Sequence, residues 1–376
     1  MSGATVADDI VDAAPPPREN PDLRGHATAE RALLDAYNGG RLAHAWLLTG
    51  PRGIGKATLA YRFARFVLAH GRESGGGDGL FGDALAPASP DGLHLDPEDP
   101  VFRRVASGGH ADFLAVERSI NEKTGKRRSE IVVGDVRAIG DVMSLTPAEG
   151  GWRAVVVDAA DEMNRNAANA LLKVLEEPPA RALIILVSHA SGRLLPTVVS
   201  RCRRLVLQAL ADDEMVALLT AYRPDLPAGD RAALVDLAEG SIGRALVLSD
   251  EGGVGLYREM AALLETLGRL DIGALHALGD RVGRSGAEEA FVTATDLLCR
   301  WLGRLVLFAA RGQAPAGASA AERALMERLA PAAALDRWLE VWEKINRLVA
   351  RASGANLDRK QVFLNAFLAL DQVARS

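Results

Sequence analysis

The sequence contains little cysteine, and this excludes several kinds of protein. Cys202 and Cys299 are the two cysteines among 376 residues. Two thiols cannot form the disulfide framework of a small secreted domain or a four-thiolate zinc site. We therefore expect a protein of the reducing cytoplasm in which both cysteines are small buried residues.

Long apolar runs and a basic surplus are also missing. No run of about 18 apolar residues occurs, so no membrane-spanning helix is expected. The first residues, with Asp8, Asp9 and Asp12 ahead of three prolines, lack the basic and apolar regions of a signal peptide. The net charge of −5 and a pI near 5.9 argue against a free-standing DNA-binding protein. Any contact with nucleic acid should be local or shared with partners.

Five short apolar runs predict a parallel β-sheet. Helical segments or loops separate them, which is typical of strands buried on both faces in an α/β domain. A helical pattern from Leu23 to Gly39 precedes the first run, and residues 1–20 are interpreted as a flexible leader. The predicted strands cover residues 45–49, 113–116, 154–157, 183–187 and 205–207.

Three other regions have a distinct composition. Residues 71–109 are rich in glycine, proline and aspartate and predict a long insertion loop. A basic hairpin-like segment follows, for which a solvated turn is favoured over a contact with DNA or a partner; its cations are Lys123, Lys126, Arg127 and Arg128. After Gln208 strand patterns largely vanish and amphipathic helices predominate, beginning with residues 212–222, 230–239 and 243–248.

A glycine-rich loop after the first strand predicts a phosphate-binding site. Gly50, Gly53 and Gly55 allow backbone N–H groups to turn toward phosphate oxygens, and Lys56 can reach the β- and γ-phosphates. The next position requires serine or threonine as a Mg²⁺ ligand, but it holds Ala57. Thr58 lies one residue further, rotated by about 100° around a helix, so its hydroxyl should point away from the metal.

A second element of the same kind of site is also incomplete. The strand at 154–157 ends in Asp158, which can approach Mg²⁺, but Ala159 follows where an acidic residue would orient the attacking water. Asp161 and Glu162 lie too far along the chain to replace it. The two losses together predict a site that binds ATP or ADP weakly, or without turnover, and leave Mg²⁺ binding open. An active ATPase with unusual ligands remains the alternative.

The chain resembles the bacterial clamp-loader ATPases of the AAA+ class. The resemblance covers roughly residues 21–248. The motifs that carry it are residues 44–56, 155–158, 169–179, Ser200 with Arg201 and Cys202, and residues 240–245. The resemblance implies an AAA+ domain at 21–210, a helical lid at 211–252 and a helical collar at 253–376. It also implies membership of a five-subunit ring with gamma/tau and delta subunits, which loads a sliding clamp on primer-template DNA.

The resemblance further implies roles for individual residues. Arg201 would be an arginine finger that acts on a neighbouring subunit's ATP, although an ordinary salt-bridged surface arginine is the alternative. Ser188 falls in the sensor 1 region, and Arg244 falls at the sensor 2 position, where it either approaches the γ-phosphate or only braces the lid. Many relatives carry a four-cysteine zinc module, but the insertion at 71–109 has no cysteine, so no zinc is expected.

Two rival functions remain open at this point. The first is a self-sufficient ATPase, either a clamp-loader motor or a helicase-type ring. The second is an AAA+ adaptor unrelated to replication that only holds other ATPases together. In our preferred interpretation the chain itself neither polymerises nucleotides nor hydrolyses ATP efficiently.

Overall fold

A computed structural model describes residues 14–71, 90–123, 125–315, 317–355 and 357–375. The first part of the predicted leader, residues 1–13, and much of the predicted insertion, residues 72–89, lie outside the described residues. The chain divides into two compact units. The first contains the described residues up to Pro224 together with Gly240–Gly243, and the second contains Asp225–Glu239 and the described residues from Arg244 onward.

The first unit is built on a five-stranded sheet. Its strands are β1 (Ala45–Thr49), β2 (Phe113–Val116), β3 (Arg153–Val157), β4 (Ala182–Ser188) and β5 (Arg203–Val206). They are ordered β2-β3-β4-β1-β5, and every pairing is parallel. The five apolar runs of the sequence therefore form the predicted sheet, with ends displaced by at most two residues.

The described part of the first unit contains seven α-helices. They are α1 (Ala27–Asn38), α2 (Lys56–His70), α3 (Pro100–Ala106), α4 (Val133–Ser144), α5 (Arg165–Glu176), α6 (Pro196–Val199) and α7 (Asp212–Tyr222). The parallel connections place helices on both faces of the sheet, as such crossovers require. The predicted α/β class is confirmed.

Successive strand residues point to opposite sides of a sheet, and both sides are buried on β1, β3 and β4. The edge strand β5 is mostly exposed, so the prediction of burial on both faces was wrong for this strand. Leu48 packs with Phe63 and Phe66 of α2 on one face. Its neighbour Leu47 packs on the other face with Leu171 of α5. Each such side chain contributes about 1.5–3 kcal/mol when it leaves water. The buried strands β1, β3 and β4 are therefore a main source of the first unit's stability.

The last part of the predicted insertion loop is a helix, so the prediction was wrong there. The side chain of Asp99 accepts a hydrogen bond from Val101 N at 2.7 Å, and Pro100 occupies the first turn of α3. These are favourable helix-start features. Val101 and Val105 are buried against the core that contains α2. The helix was not predicted because Val101 and Val105 are only two apolar residues at helical spacing within a glycine-rich stretch.

The described part of the second unit is helical and contains no strand. Its helices are α8 (Ala228–Ala238), α9 (Ile242–Asp250), α10 (Gly253–Glu265), α11 (Ile272–Gly283), α12 (Glu288–Arg311), α13 (Ala320–Leu329), α14 (Leu335–Ala355) and α15 (Arg359–Ala374). The predicted change from strands to helices after the sheet is confirmed. The division of this region into lid and collar stays a prediction.

The helix α14 has buried and exposed apolar side chains. Trp338, Val341 and Ile345 are buried, whereas Leu335 and Leu339 are 37% and 39% exposed. Among the described helices, none combines the length and the apolar character needed to cross a bilayer.

Candidate functional site

The glycine-rich loop lies between β1 and α2, as the sequence predicts. The backbone φ angle is 148° at Gly50, 75° at Gly53 and 101° at Gly55, and side-chain-bearing residues rarely adopt such values. A Cβ atom at residue 50 would also lie 2.3 Å from the carbonyl oxygen of Leu207. The path of the loop therefore requires glycine at residue 50 and favours glycine at residues 53 and 55.

Five consecutive carbonyl oxygens of the loop, those of residues 50–54, accept hydrogen bonds from the same chain. The bonds are Lys56 Nζ to Gly50 O at 2.8 Å and to Pro51 O, Ser241 Oγ to Arg52 O at 2.8 Å, Gly243 N to Gly53 O at 2.9 Å, and His26 Nε2 to Ile54 O at 2.6 Å. In a trans peptide the N–H points opposite to the C=O. Holding the carbonyls in place therefore also orients the N–H groups of the loop, as an anion-binding nest requires.

Lys56 is held against the loop itself. Only 2% of the residue is exposed. Burial lowers the pKa of its ammonium group to about 8, because desolvation outweighs the attraction of Asp161 and Asp158. To contact a bound phosphate, the ammonium group must exchange the two loop carbonyls for phosphate oxygens. Neither His26 nor Ser241, which hold the same loop, was predicted as a site residue.

The position that should supply a metal ligand offers no oxygen. Ala57 packs against the core on the first turn of α2, and Thr58 is buried within the same helix. The loop therefore has the glycines and the lysine that a phosphate site requires, but it lacks the hydroxyl that normally follows the lysine as a metal ligand. Binding of a nucleotide here stays a prediction.

Asp158 lies at the carboxyl end of β3, where a metal-binding carboxylate is expected. Burial raises the pKa of its carboxyl group, with smaller contributions from Glu117 and Glu162. Ala159 adopts a left-handed conformation with φ of 60° and supplies no carboxylate for an attacking water. Asp161 Oδ1 instead accepts a hydrogen bond from His189 N at 2.8 Å, and so belongs to the contacts that hold the site together.

Two side chains at the end of β4 complete this region. Ser188 is fully buried, and its Oγ has no hydrogen-bond partner among the described residues. The pKa of His189 is lowered to about 4 by burial and then by the nearby Lys56. The sequence did not predict His189, although its position directly after an apolar strand was a usable signal. A neutral imidazole and an unpaired hydroxyl thus lie at the strand end next to the phosphate loop.

The depressed pKa of His189 predicts a loss of stability in acid. The unfolded chain binds a proton near the ordinary pKa of about 6.5, whereas the folded chain resists protonation until about pH 4. Stability should therefore fall as the pH decreases through this interval. We expect the thermal midpoint of the His189→Gln variant to decrease less between pH 7 and pH 5 than that of the unchanged protein. Parallel curves for the two proteins in a pH series of melts would contradict this assignment.

Arg201 follows α6 at the surface of the first unit. Its side chain is 35% exposed, with Nη2 2.7 Å from Glu176 Oε1. Nη1 donates to the carbonyl oxygen of Thr197 at 2.9 Å. The sequence did not predict this contact with Glu176. An exposed ion pair of this kind is worth about 0–1 kcal/mol, so the guanidinium can leave it at little cost.

Arg244 belongs to the second unit. Its Nη2 lies 3.1 Å from Asp296 Oδ2 on α12, and its side chain is 12% exposed. Asp296 also accepts hydrogen bonds from Arg300 Nε. This contact corresponds to the bracing role considered for Arg244. The role of Arg244 as a nucleotide sensor stays a prediction.

The basic segment after β2 forms the predicted hairpin. Ile120 and Arg127 form an antiparallel bridge, and Asn121 N donates to the carbonyl oxygen of Lys126 at 2.8 Å. Arg127 Nη2 lies 2.8 Å from Glu117 Oε2, so one cation of the segment is already paired. A contact of the hairpin with DNA stays a prediction.

Comparison with known proteins finds relatives among DNA polymerase III subunits. Residues 85–211 match the family model described as "DNA polymerase III, delta subunit". The chain is 34% identical over 234 residues to DNA polymerase III subunit delta' of Pseudomonas aeruginosa, a match covering 62% of this chain and 63% of the relative. It is 28% identical to subunit tau/gamma of Haemophilus influenzae, covering 62% of this chain and 31% of the relative. The chain thus covers less than two thirds of the length of these relatives.

Solved structures also resemble this chain. A DNA polymerase III gamma subunit-related protein of Thermotoga maritima is 20% identical, with a TM-score of 0.43, and the match covers 94% of this chain and all of that one.

Proposed function

Because the chain belongs to the delta'/tau/gamma family of DNA polymerase III clamp-loader subunits, we propose that it acts as the delta' subunit. In this role it supplies Arg201 to the ATP site of a neighbouring gamma/tau subunit. It does not hydrolyse ATP efficiently itself. The observation that carries the proposal is the surface position of Arg201. The chain's own phosphate site lacks a metal-binding hydroxyl at residue 57 and a carboxylate for the attacking water at residue 159.

The proposed chemistry of Arg201 follows from its position. When a neighbouring subunit binds ATP, the guanidinium leaves Glu176 and approaches the γ-phosphate of that ATP. Its planar, permanently charged group stabilises the negative charge that develops on the phosphoryl oxygens in the transition state. The gamma/tau subunits bind ATP and open the sliding clamp on primer-template DNA. Hydrolysis assisted by Arg201 then allows the clamp to be released.

The chain's own site fits a phosphate group better than a metal-bound nucleotide. The oriented loop and Lys56 suit phosphate oxygens, and the unpaired Oγ of Ser188 lies in the same region. Ala57 and Ala159 provide no oxygen for Mg²⁺ or for the attacking water. We therefore assign the site weak binding of ATP or ADP and no step of hydrolysis. The cytoplasmic location stays a prediction.

Calorimetric titration of the purified chain tests this part of the proposal. We expect ATP to bind weakly, with an affinity that changes less than about threefold when Mg²⁺ is added, because a complete metal site is absent. Steady-state ATP hydrolysis by the chain alone should not exceed that of the Lys56→Ala variant. Turnover that is lost in Lys56→Ala would instead support the self-sufficient motor.

A further inference from the structure

A cavity of about 440 Å³ lies in the first unit, near the amino-terminal ends of β3 and β4. The phosphate loop lies at the opposite end of the sheet, after the carboxyl end of β1. Trp152 and Arg181, which immediately precede β3 and β4, line the cavity together with Tyr37 and His70 from the ends of α1 and α2. A strand of five residues, such as β1 or β3, is roughly 16 Å long, so about this distance separates the two ends of the sheet. The cavity is therefore distinct from the site that contains Lys56.

Aromatic rings in fixed positions form much of the cavity wall. His70 stacks on Phe66 with ring centroids 4.5 Å apart, and Tyr37 meets the same ring edge-on at 5.0 Å. Trp152 lies directly against the backbone at residue 71, where a Cβ atom would lie 2.3 Å from the indole Cδ1. Gly71 thus permits the indole to approach. Rings that are already held by packing lose little freedom when another planar group stacks on them.

The charge of the lining selects among planar ligands. Arg181 is exposed and contributes a guanidinium, and its Nη1 donates to the carbonyl oxygen of Gly150 at 3.3 Å. This cation favours a ligand that carries a negative group. However, the carboxyl ends of α1 and α2 meet the cavity and carry partial negative charge, which disfavours a bare anion. The suitable ligand combines a ring that stacks with an anion that reaches Arg181.

We infer that this cavity binds one unpaired nucleotide, with its base against the rings and its phosphate near Arg181. A nucleotide has both required groups, and the cavity volume falls within the range of about 300–1,000 Å³ for small-molecule sites. The nucleotide is either a free mononucleotide or one residue of a single DNA strand. This inference does not depend on the function proposed for Arg201.

Titrations of the full chain test the inference, with deoxyadenosine monophosphate (dAMP), a single-stranded deoxyadenosine octamer and inorganic phosphate as probes. All proteins in these titrations carry Lys56→Ala, which removes the lysine of the phosphate loop as a competing site. Calorimetry should then show saturable binding of at least one nucleotide probe and none of inorganic phosphate. Arg181→Gly should weaken binding about tenfold, and so should Trp152→Leu. Arg181 has a φ of 53°, which suits glycine, so the first variant should keep its fold. Thermal melts check both variants.

Arg137→Ala serves as the matched control in the same Lys56→Ala protein, because Arg137 is an exposed arginine of α4 that does not line the cavity. It should leave binding of the nucleotide probes unchanged. Tighter binding of the octamer than of dAMP would identify a DNA strand as the source, and equal or weaker binding would identify a free mononucleotide. The inference is overturned if neither nucleotide binds saturably to the Lys56→Ala protein, if adding Arg181→Gly does not weaken that binding, or if Arg137→Ala weakens it as much as Arg181→Gly does.

Discussion

Replacing Arg201 by alanine should leave a folded subunit that still assembles, while ATP turnover at the neighbouring site falls by about a thousandfold. The side chain is exposed and makes one surface ion pair, so its removal should change the free energy of unfolding by less than about 1 kcal/mol. Its loss should instead remove the positive charge that stabilises the transition state. Single-turnover hydrolysis by the complex reconstituted with gamma/tau and delta subunits measures the effect.

The other ATP sites of that complex keep their own neighbours and should remain fast. The expected signal is therefore the loss of one site's share of the rapid phase of phosphate release. Arg193→Ala is the matched control, since Arg193 is another exposed arginine of the same unit. Glu176→Gln should retain activity within about twofold, because it removes only the weak resting contact of Arg201. Equal rapid phases for Arg201→Ala and Arg193→Ala would remove the arginine-finger assignment.

Restoring a hydroxyl at residue 57 should make nucleotide binding depend on Mg²⁺. Removal of groups that merely orient metal ligands costs about 10–100-fold in metal affinity. A direct ligand should matter at least as much, so we expect Ala57→Thr to bind ATP about 10–100-fold more tightly in the presence of Mg²⁺ than in its absence. Asp158 already lies at the end of β3 to share the metal.

Valine provides the control for this gain, because it has the shape of threonine without the hydroxyl. Ala57→Val should show the weak metal dependence of the unchanged protein in the same titration. Both substitutions add volume to a position that packs against the core, so any effect of packing appears in both variants. A similar gain in both, or in neither, would show that the missing hydroxyl does not limit metal binding. ATP hydrolysis should stay low in both, since Ala159 still provides no carboxylate.

Much of the first unit was predictable because its signals are local. The strand at 45–49 and the glycines that follow it identify the phosphate loop without reference to the rest of the chain. The helix at 100–106 was missed because two apolar positions are a weak signal within a glycine-rich stretch. His189 was missed for a different reason. Its lowered pKa comes from burial and from Lys56, which is distant in the sequence.

The sequence by itself determined which chemical groups the site has and which it lacks: a lysine and glycines for phosphate, but no hydroxyl at residue 57 and no carboxylate at residue 159. The tertiary structure alone decided how the loop is held. Ile54 O is bonded by His26, 28 residues away, and Arg52 O by Ser241, 189 residues away. Such bonds depend on how distant segments of the chain pack, and no local pattern records that packing. The contact between Arg201 and Glu176 has the same origin, since it joins the ends of two elements that meet only in the folded sheet domain.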